Sequence, residues 1–189
     1  AIGGGKWQPP YYDLTNSKVY MDFINVMCYS MASNSGYYQN ALYPHTSFNS
    51  PTLKVGKTLT SCSISETLKI YNNYGVKNDQ LLFGLAFYGV QQEYNNGSWG
   101  NGRSVSYTSI AGYINSGEYD YYYDEVSQIP YLVSKDGVFF ISYDDERSIK
   151  AKIKYVIDNG IGGIMYWENG LDTTGTLVHA INEGMNQFN

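Results

Sequence analysis

Residues 143–168 read YDDERSIKAKIKYVIDNGIGGIMYWE, a helix that stops at glycine and passes directly into a short apolar strand ending in Trp167-Glu168. Asp144 or Asp145 can cap the helix, because a carboxylate accepts the free N–H groups of a first turn. Ile149, Ile153 and Val156 recur at helical spacing, which predicts one buried stripe, with Lys152 and Lys154 turned outward. Gly160 closes the helix, since a glycine takes the left-handed turn after a last helical residue without steric cost. The run from Gly163 to Trp167 is then too short and too apolar for another helix and reads as a strand.

The same helix-to-strand grammar extends upstream. Residues 23–29, FINVMCY, lack amphipathic alternation and suit a strand covered on both faces of a parallel sheet. A polar, Asn/Ser/Pro-rich loop over 30–61 follows, long enough to be a functional candidate. Ser63 or Ser65 can cap a helix whose Leu68, Ile70 and Tyr71 form its apolar face, and Gly75 ends it. Residues 81–88, LLFGLAFY, give a second buried strand. From about residue 90 to residue 140 the pattern changes to short Tyr-rich segments broken by Asn-Gly, Gly-Ser-Trp-Gly and Asn-Gly-Arg, which predicts a small inserted antiparallel module. A last helix over about 175–187 carries Leu177, Ile181 and Met185 on one face.

Strand, loop, helix, strand, insertion, helix, strand, helix is the order of repeated βα units, hence an α/β fold. Right-handed crossovers put the loops that follow the strands on one rim. Side chains that close the strands converge there: Met27, Tyr29 and Ser30, then Tyr88, then Trp167 and Glu168. Rings ending successive strands offer apolar faces to the C–H faces of a sugar, while their polar tips reach hydroxyls.

Composition narrows the function classes. The 189 residues hold 21 Tyr against 7 Phe, a surface chemistry suited to polar polymers, although a compositional habit of the source genome would give the same count. A net charge of −5 with no basic stripe argues against nucleic acid. Nothing apolar runs long enough to span a bilayer. The opening AIGGGKW has no charged-then-apolar leader and reads as a chain entered partway. Two cysteines, Cys28 and Cys62, make neither a disulfide framework nor a metal site, and Cys28 within an apolar strand reads as a buried free thiol. His45 and His179 have no acidic or nucleophilic partner nameable from sequence, and no cofactor or metal is expected.

Five segments in order, MDFINVMCYS, LLFGLAFYG, YYYDEVSQIPYL, ISYDDERSIKAKIKYV and GIGGIMYWE, resemble the C-terminal half of glycoside hydrolase family 18 domains, over about residues 20–188. The family holds chitinases, endo-N-acetylglucosaminidases and inactive chitinase-like lectins. The resemblance implies the C-terminal part of a (β/α)8 TIM barrel, about strands five or six to eight, with Ala1-Ile2-Gly3 ending strand five. It divides the chain into barrel units over 1–89, an α+β insertion after strand seven over 90–142, and closing barrel units over 143–189.

The chemistry that the resemblance implies is retaining, substrate-assisted cleavage of β-1,4-linked N-acetylglucosamine polymers, in which the substrate's own N-acetyl carbonyl attacks the anomeric carbon. A glutamic acid in a D-x-x-D-x-D-x-E signature protonates the leaving oxygen. That spacing is absent from these 189 residues, so the chain alone is expected to be inactive. Asp120 and Asp124-Glu125 imitate it at the wrong spacing and read as structural acids on a solvated loop. Tyr29 matches the tyrosine that stabilises the oxazolinium intermediate, and Met27 matches an apolar wall beside the acetyl group. Ser30 departs from the Asp that many active members carry. Trp167 matches the indole floor under the sugar, with Glu168 beside it as a further substrate contact. Tyr88 and Trp99 are candidates for outer sugar subsites. For each residue plain packing is the competing explanation. The implied partners are an N-acetylglucosamine-containing oligosaccharide or polysaccharide, and either the missing N-terminal barrel half or a second copy. The implied setting is extracellular, periplasmic or at the cell surface. A non-hydrolysing glycan-binding lectin is the alternative function.

Overall fold

The computed structural model describes residues 1–31, 36–46 and 62–188. Its elements run β1 (Ile2–Gly3), α1 (Leu14–Ser17), β2 (Ile24–Met27), α2 (Ile64–Asn73), β3 (Leu81–Ala86), β4 (Tyr88–Asn95), β5 (Ser98–Trp99) and β6 (Arg103–Ser106). There follow α3 (Tyr107–Ser116), β7 (Tyr119–Asp124), β8 (Ile129–Ser134), β9 (Phe139–Ser142), α4 (Glu146–Asp158), β10 (Gly163–Trp167) and α5 (Thr176–Phe188). Part of the expected 30–61 loop, at 32–35 and 47–61, lies outside the described residues.

Two sheets result. The first is parallel in the order β1-β2-β3-β10, and the second is antiparallel along β5-β4-β9-β8-β7, with β6 also paired to β4. Parallel neighbours need a crossover, and α2 and α4 lie in the connections that lead to β3 and β10. Chain alternation gives each parallel strand two faces. One face sends Ile24, Val26, Leu81 and Phe83 into a core with Leu68 and Tyr71 of α2 and Val156 of α4. Each fully buried Leu or Phe there contributes roughly 1.5–3 kcal/mol. The other face carries Asn25, Met27, Leu82, Gly84, Ala86, Met165 and Trp167. The pairings Asn25 with Leu82, Met165 with Gly84 and Trp167 with Ala86 bring these residues into rows.

A second core holds Leu85 and Phe87 together with Ile110 of α3, Leu132, Ile141, Ile149 and Ile153 of α4, and Leu177 of α5. Helix α4 therefore packs into both cores. The opposite face of the antiparallel sheet buries Ile129, Tyr131, Val133 and Phe140 against Tyr38 and Ala41 from the segment after β2.

Several local expectations take definite form. Ser63 caps α2 by accepting from the Glu66 N–H, and Asp145 caps α4 by accepting from the Ser148 N–H at 2.8 Å. Gly75 and Gly160 adopt the positive φ expected after a helix. Cys28 is a buried free thiol one residue beyond β2, and burial pushes its pKa up to about 12. Others are corrected. Strand β2 buries only Ile24 and Val26 fully, so it is not covered on both faces. The strand over 81–88 ends at Ala86, and Tyr88 opens the antiparallel sheet instead.

Lys152 does not point outward: it is 1% exposed and ion-paired with Asp144, which also accepts from Asn40 Nδ2 at 2.7 Å and Ser148 Oγ at 2.7 Å. Its position, three residues from Ile149 and four from Val156, puts it on the apolar face, where charge is tolerated only when paired. Asp124 is buried rather than solvated, and it accepts from the Val126 and Ser127 N–H groups. Both histidines have acidic partners, His45 with Asp124 at 3.0 Å and His179 with Glu183 at 3.1 Å. Among the described residues no helix is long and apolar enough to cross a membrane.

Candidate functional site

The face of the parallel sheet that bears Met27, Gly84, Ala86 and Trp167 is the place where strand ends, small residues and aromatic rings coincide. Tyr29 follows Met27 at the same alternation, two residues on. Its ring lies over Gly84, where an added Cβ would stand 2.6 Å from Tyr29 Cε1 and 2.9 Å from the Val26 carbonyl. The glycine is needed because the ring approaches the backbone so closely. Tyr29 meets Tyr88 edge to face, with ring centroids 6.1 Å apart. Burial, with smaller contributions from Tyr88 and Cys28, pushes the Tyr29 phenol up to about 12. Burial likewise raises Tyr88. Both hydroxyls stay protonated near neutral pH, so each can donate a hydrogen bond to an acceptor oxygen.

Ser30 has a left-handed backbone, φ 60°, a conformation that a non-glycine residue adopts at some cost. Its hydroxyl is hydrogen-bonded to the Tyr88 hydroxyl, and its N–H donates to Gln39 Oε1 at 3.0 Å. Gln39 Nε2 donates in turn to the Tyr88 carbonyl at 2.6 Å. Met27 is half-buried, and its carbonyl accepts from the Gly4 N–H at 3.1 Å, which ties the ends of β1 and β2 together.

Trp167 closes β10 opposite Ala86 and is 56% exposed. Its carbonyl accepts from the Phe87 N–H at 2.8 Å, and the peptide bond to Glu168 is cis. Its neighbour Tyr166 points to the other face and stacks on Phe87, centroids 4.3 Å apart. The indole is thus held by its backbone while its ring remains open to solvent. Glu168 is exposed, and its carbonyl accepts from the Leu171 N–H.

Trp99 is placed differently. It packs on Tyr94 at 4.9 Å and Phe140 at 5.9 Å within the antiparallel sheet, and Gly36 lies against its indole. The structure therefore gathers Tyr29, Ser30 and Tyr88 into one contact group and puts Met27 and Trp167 on the same sheet face. Trp99 joins the aromatic cluster of the other sheet. Asp120 pairs with Lys135 and Glu125 with Arg147, both at the surface. Among the described residues no group of three or more His, Cys, Asp or Glu side chains could hold a metal ion.

Sequence reasoning did not single out Gln39, Asn40 or Ser142, which connect the segment after β2 to β4, β9 and Asp144. The only signal for them was the length of the loop that contains the first two.

The fold is of the α/β class, with a parallel sheet, an antiparallel second sheet and aromatic side chains at the strand ends. The family model for glycosyl hydrolases family 18 matches residues 1–172, and the chain belongs to that family. Chitinase A1 of Niallia circulans is 32% identical over 123 residues, 57% of this chain and 18% of that protein. A probable endochitinase of Caenorhabditis elegans is 30% identical over 179 residues, 85% of this chain and 28% of that protein. The solved structure of a glycoside hydrolase family 18 N-acetylglucosaminidase from Paenibacillus barengoltzii aligns with a TM-score of 0.81 at 29% identity, over 97% of this chain and 55% of that one. The chain thus spans less than a third of the length of these two curated relatives and about half of the solved one.

Proposed function

We propose that this chain supplies the acceptor-stabilising and stacking half of a site that binds β-1,4-linked N-acetylglucosamine polymers, in a protein that hydrolyses them by the retaining, substrate-assisted route. The observation that carries the reading is the Tyr29 phenol, neutral and half-buried over Gly84, on the sheet face that also bears the solvent-open Trp167. Tyr29 donates to the N-acetyl oxygen as it attacks the anomeric carbon. Met27 walls the acetyl methyl group from water, and Trp167 is the floor under the sugar ring, with Glu168 contacting its rim. Ser30 and Tyr88 present a hydroxyl pair to the substrate.

The four parallel strands are read as strands five to eight of an eight-stranded barrel, with 90–142 as the insertion after the seventh. The order β1-β2-β3-β10, each strand beside its successor in the sheet, supports this. The general acid comes from outside these 189 residues, because the D-x-x-D-x-D-x-E spacing does not occur among them. By itself the chain is inactive, and the exposed edges of β1 and β10 pair with the other barrel strands or with a second copy. An extracellular, periplasmic or cell-surface setting goes with a polymeric substrate.

A fluorogenic N-acetylglucosamine oligomer tests the reading. The 189-residue chain should give no turnover, and the intact polypeptide should cleave the oligomer and lose most activity with Tyr29→Phe. Turnover by the 189-residue chain, abolished by Tyr29→Phe, overturns the claim of inactivity. A lectin is the second reading: the family resemblance implies an Asp at the position of Ser30, and a serine there weakens a sugar contact without touching the indole floor. Oligomer binding by the intact polypeptide without turnover would select it.

A further inference from the structure

Gln39 is fully buried, and its side-chain amide engages the two segments that carry Ser30 and Tyr88. Its Oε1 accepts from the Ser30 N–H at 3.0 Å, and its Nε2 donates to the Tyr88 carbonyl at 2.6 Å. Its backbone N–H donates to Ser142 Oγ at 3.0 Å, and its carbonyl accepts from the Met31 N–H at 3.1 Å. The two side-chain bonds fix the amide: the oxygen must face an N–H and the nitrogen a carbonyl. Neither an ionised carboxylate nor an apolar side chain can serve both.

These contacts bracket Tyr29. On one side is Ser30, whose left-handed φ of 60° would relax if its amide were released. On the other is Tyr88, against whose ring Tyr29 stands edge-on and whose hydroxyl meets that of Ser30. Gln39 itself lies behind this group and holds the exit of β2 and the start of β4 at one spacing. We infer that Gln39 is a positioning residue: it aims the Tyr29 phenol by clamping the backbones of Ser30 and Tyr88. This rests on the sugar-site reading above. Removing the clamp leaves a part-buried N–H and a buried carbonyl without their partner, on the two residues that set where the phenol points. A displacement of about 1 Å at such a group costs on the order of a hundredfold in function.

The test uses the intact polypeptide and the N-acetylglucosamine tetramer, with affinity measured by calorimetry and the fold checked by thermal melting. Gln39→Ala should weaken tetramer affinity by roughly tenfold or more, and that loss should largely vanish in a Tyr29→Phe background, because residues acting through one another are non-additive. Equal losses in both backgrounds mean a merely structural role and overturn the inference, as does Gln39→Ala affinity within about twofold of the wild type.

Should Gln39→Ala not fold, the isosteric Gln39→Glu decides. As a carboxylate it faces the Tyr88 carbonyl with an oxygen, and once protonated it can donate there again. Near-wild-type affinity at about pH 5, where the protonated acid can donate to the carbonyl, supports the clamp, and affinity still weakened about tenfold there in a folded protein overturns it. If the wild type binds no tetramer, the site reading falls and the inference with it. If Trp167→Ala weakens binding while Gln39→Ala does not, the inference alone falls.

Discussion

The rings of Tyr29 and Tyr88 cross at 78° with their centroids 6.1 Å apart, so the edge of one phenol faces the other. Burial raises both, Tyr29 to about 12. An acid whose folded pKa lies above its unfolded value favours the folded state at low pH. That contribution is lost as pH rises from the ordinary value of about 10 through the folded one. The affinity ratio between wild type and Tyr29→Phe should therefore be flat from about pH 6 to about pH 9, and stability should fall above about pH 10. Calorimetric titration from about pH 6 to about pH 9 checks the first, and melting temperatures from about pH 9 to about pH 12 check the second. A ratio that changed near neutrality would mean that another group titrates at the site.

Gly84 admits no side chain. The 2.6 Å and 2.9 Å approaches to the Tyr29 ring and the Val26 carbonyl mean that Gly84→Ala must move one or the other. Because the carbonyl belongs to the β2–β3 ladder, the ring should yield first. Expected outcomes are a loss of about 1–3 kcal/mol by urea unfolding, typical of overpacking, and a drop in oligomer affinity resembling that of Tyr29→Phe. Wild-type affinity in a folded Gly84→Ala protein would show that the position of the ring does not matter to the sugar.

Lys152 and Asp144 form a buried ion pair that Asn40 and Ser148 complete. Removing one member of such a pair strands the other in the core. Asp144→Ala should cost about 3–5 kcal/mol in chemical denaturation, because the ammonium is left without its carboxylate. Lys152→Met should cost less, since Asp144 keeps the Asn40 and Ser148 donors and the thioether fills the space. Equal costs would mean that the hydrogen bonds do not support the carboxylate.

Trp167 presents its indole to solvent while its carbonyl anchors Phe87. Replacing the ring leaves the anchor, so Trp167→Ala should fold normally. It should lose roughly tenfold in oligomer affinity, about 1.4 kcal/mol. Unchanged affinity in the folded variant would remove the stacking floor from the proposed site.

Periodicity and caps make α2 and α4 legible in the sequence, because each has a dense local signal: Ser63 or Asp145 at the start, Gly75 or Gly160 at the end. Lys152 is not legible as buried because a charge on an apolar stripe looks solvated until its partner is known, and Asp144 lies eight residues earlier in the chain, ahead of the helix. The end of β3 was misjudged because LAFYG remains apolar across the point where the chain leaves one sheet for the other. Tyr29 and Trp167 were nameable from motif position. Gln39 was not, since all of its importance lies in contacts 9, 49 and 103 residues away along the chain, and no local pattern encodes them.

Helix α4 gives Val156 to one core and Ile149 and Ile153 to the other. The antiparallel sheet is therefore an insertion in chain order but not a detachable module. A segment cut at Tyr88 and Ser142 would leave behind the isoleucines that cover Leu132 and Ile141, and the parallel sheet would keep a helix with half its apolar stripe wetted. The two sheets should melt in a single cooperative transition. Grafting the antiparallel sheet onto another parallel sheet would require carrying the following helix with it.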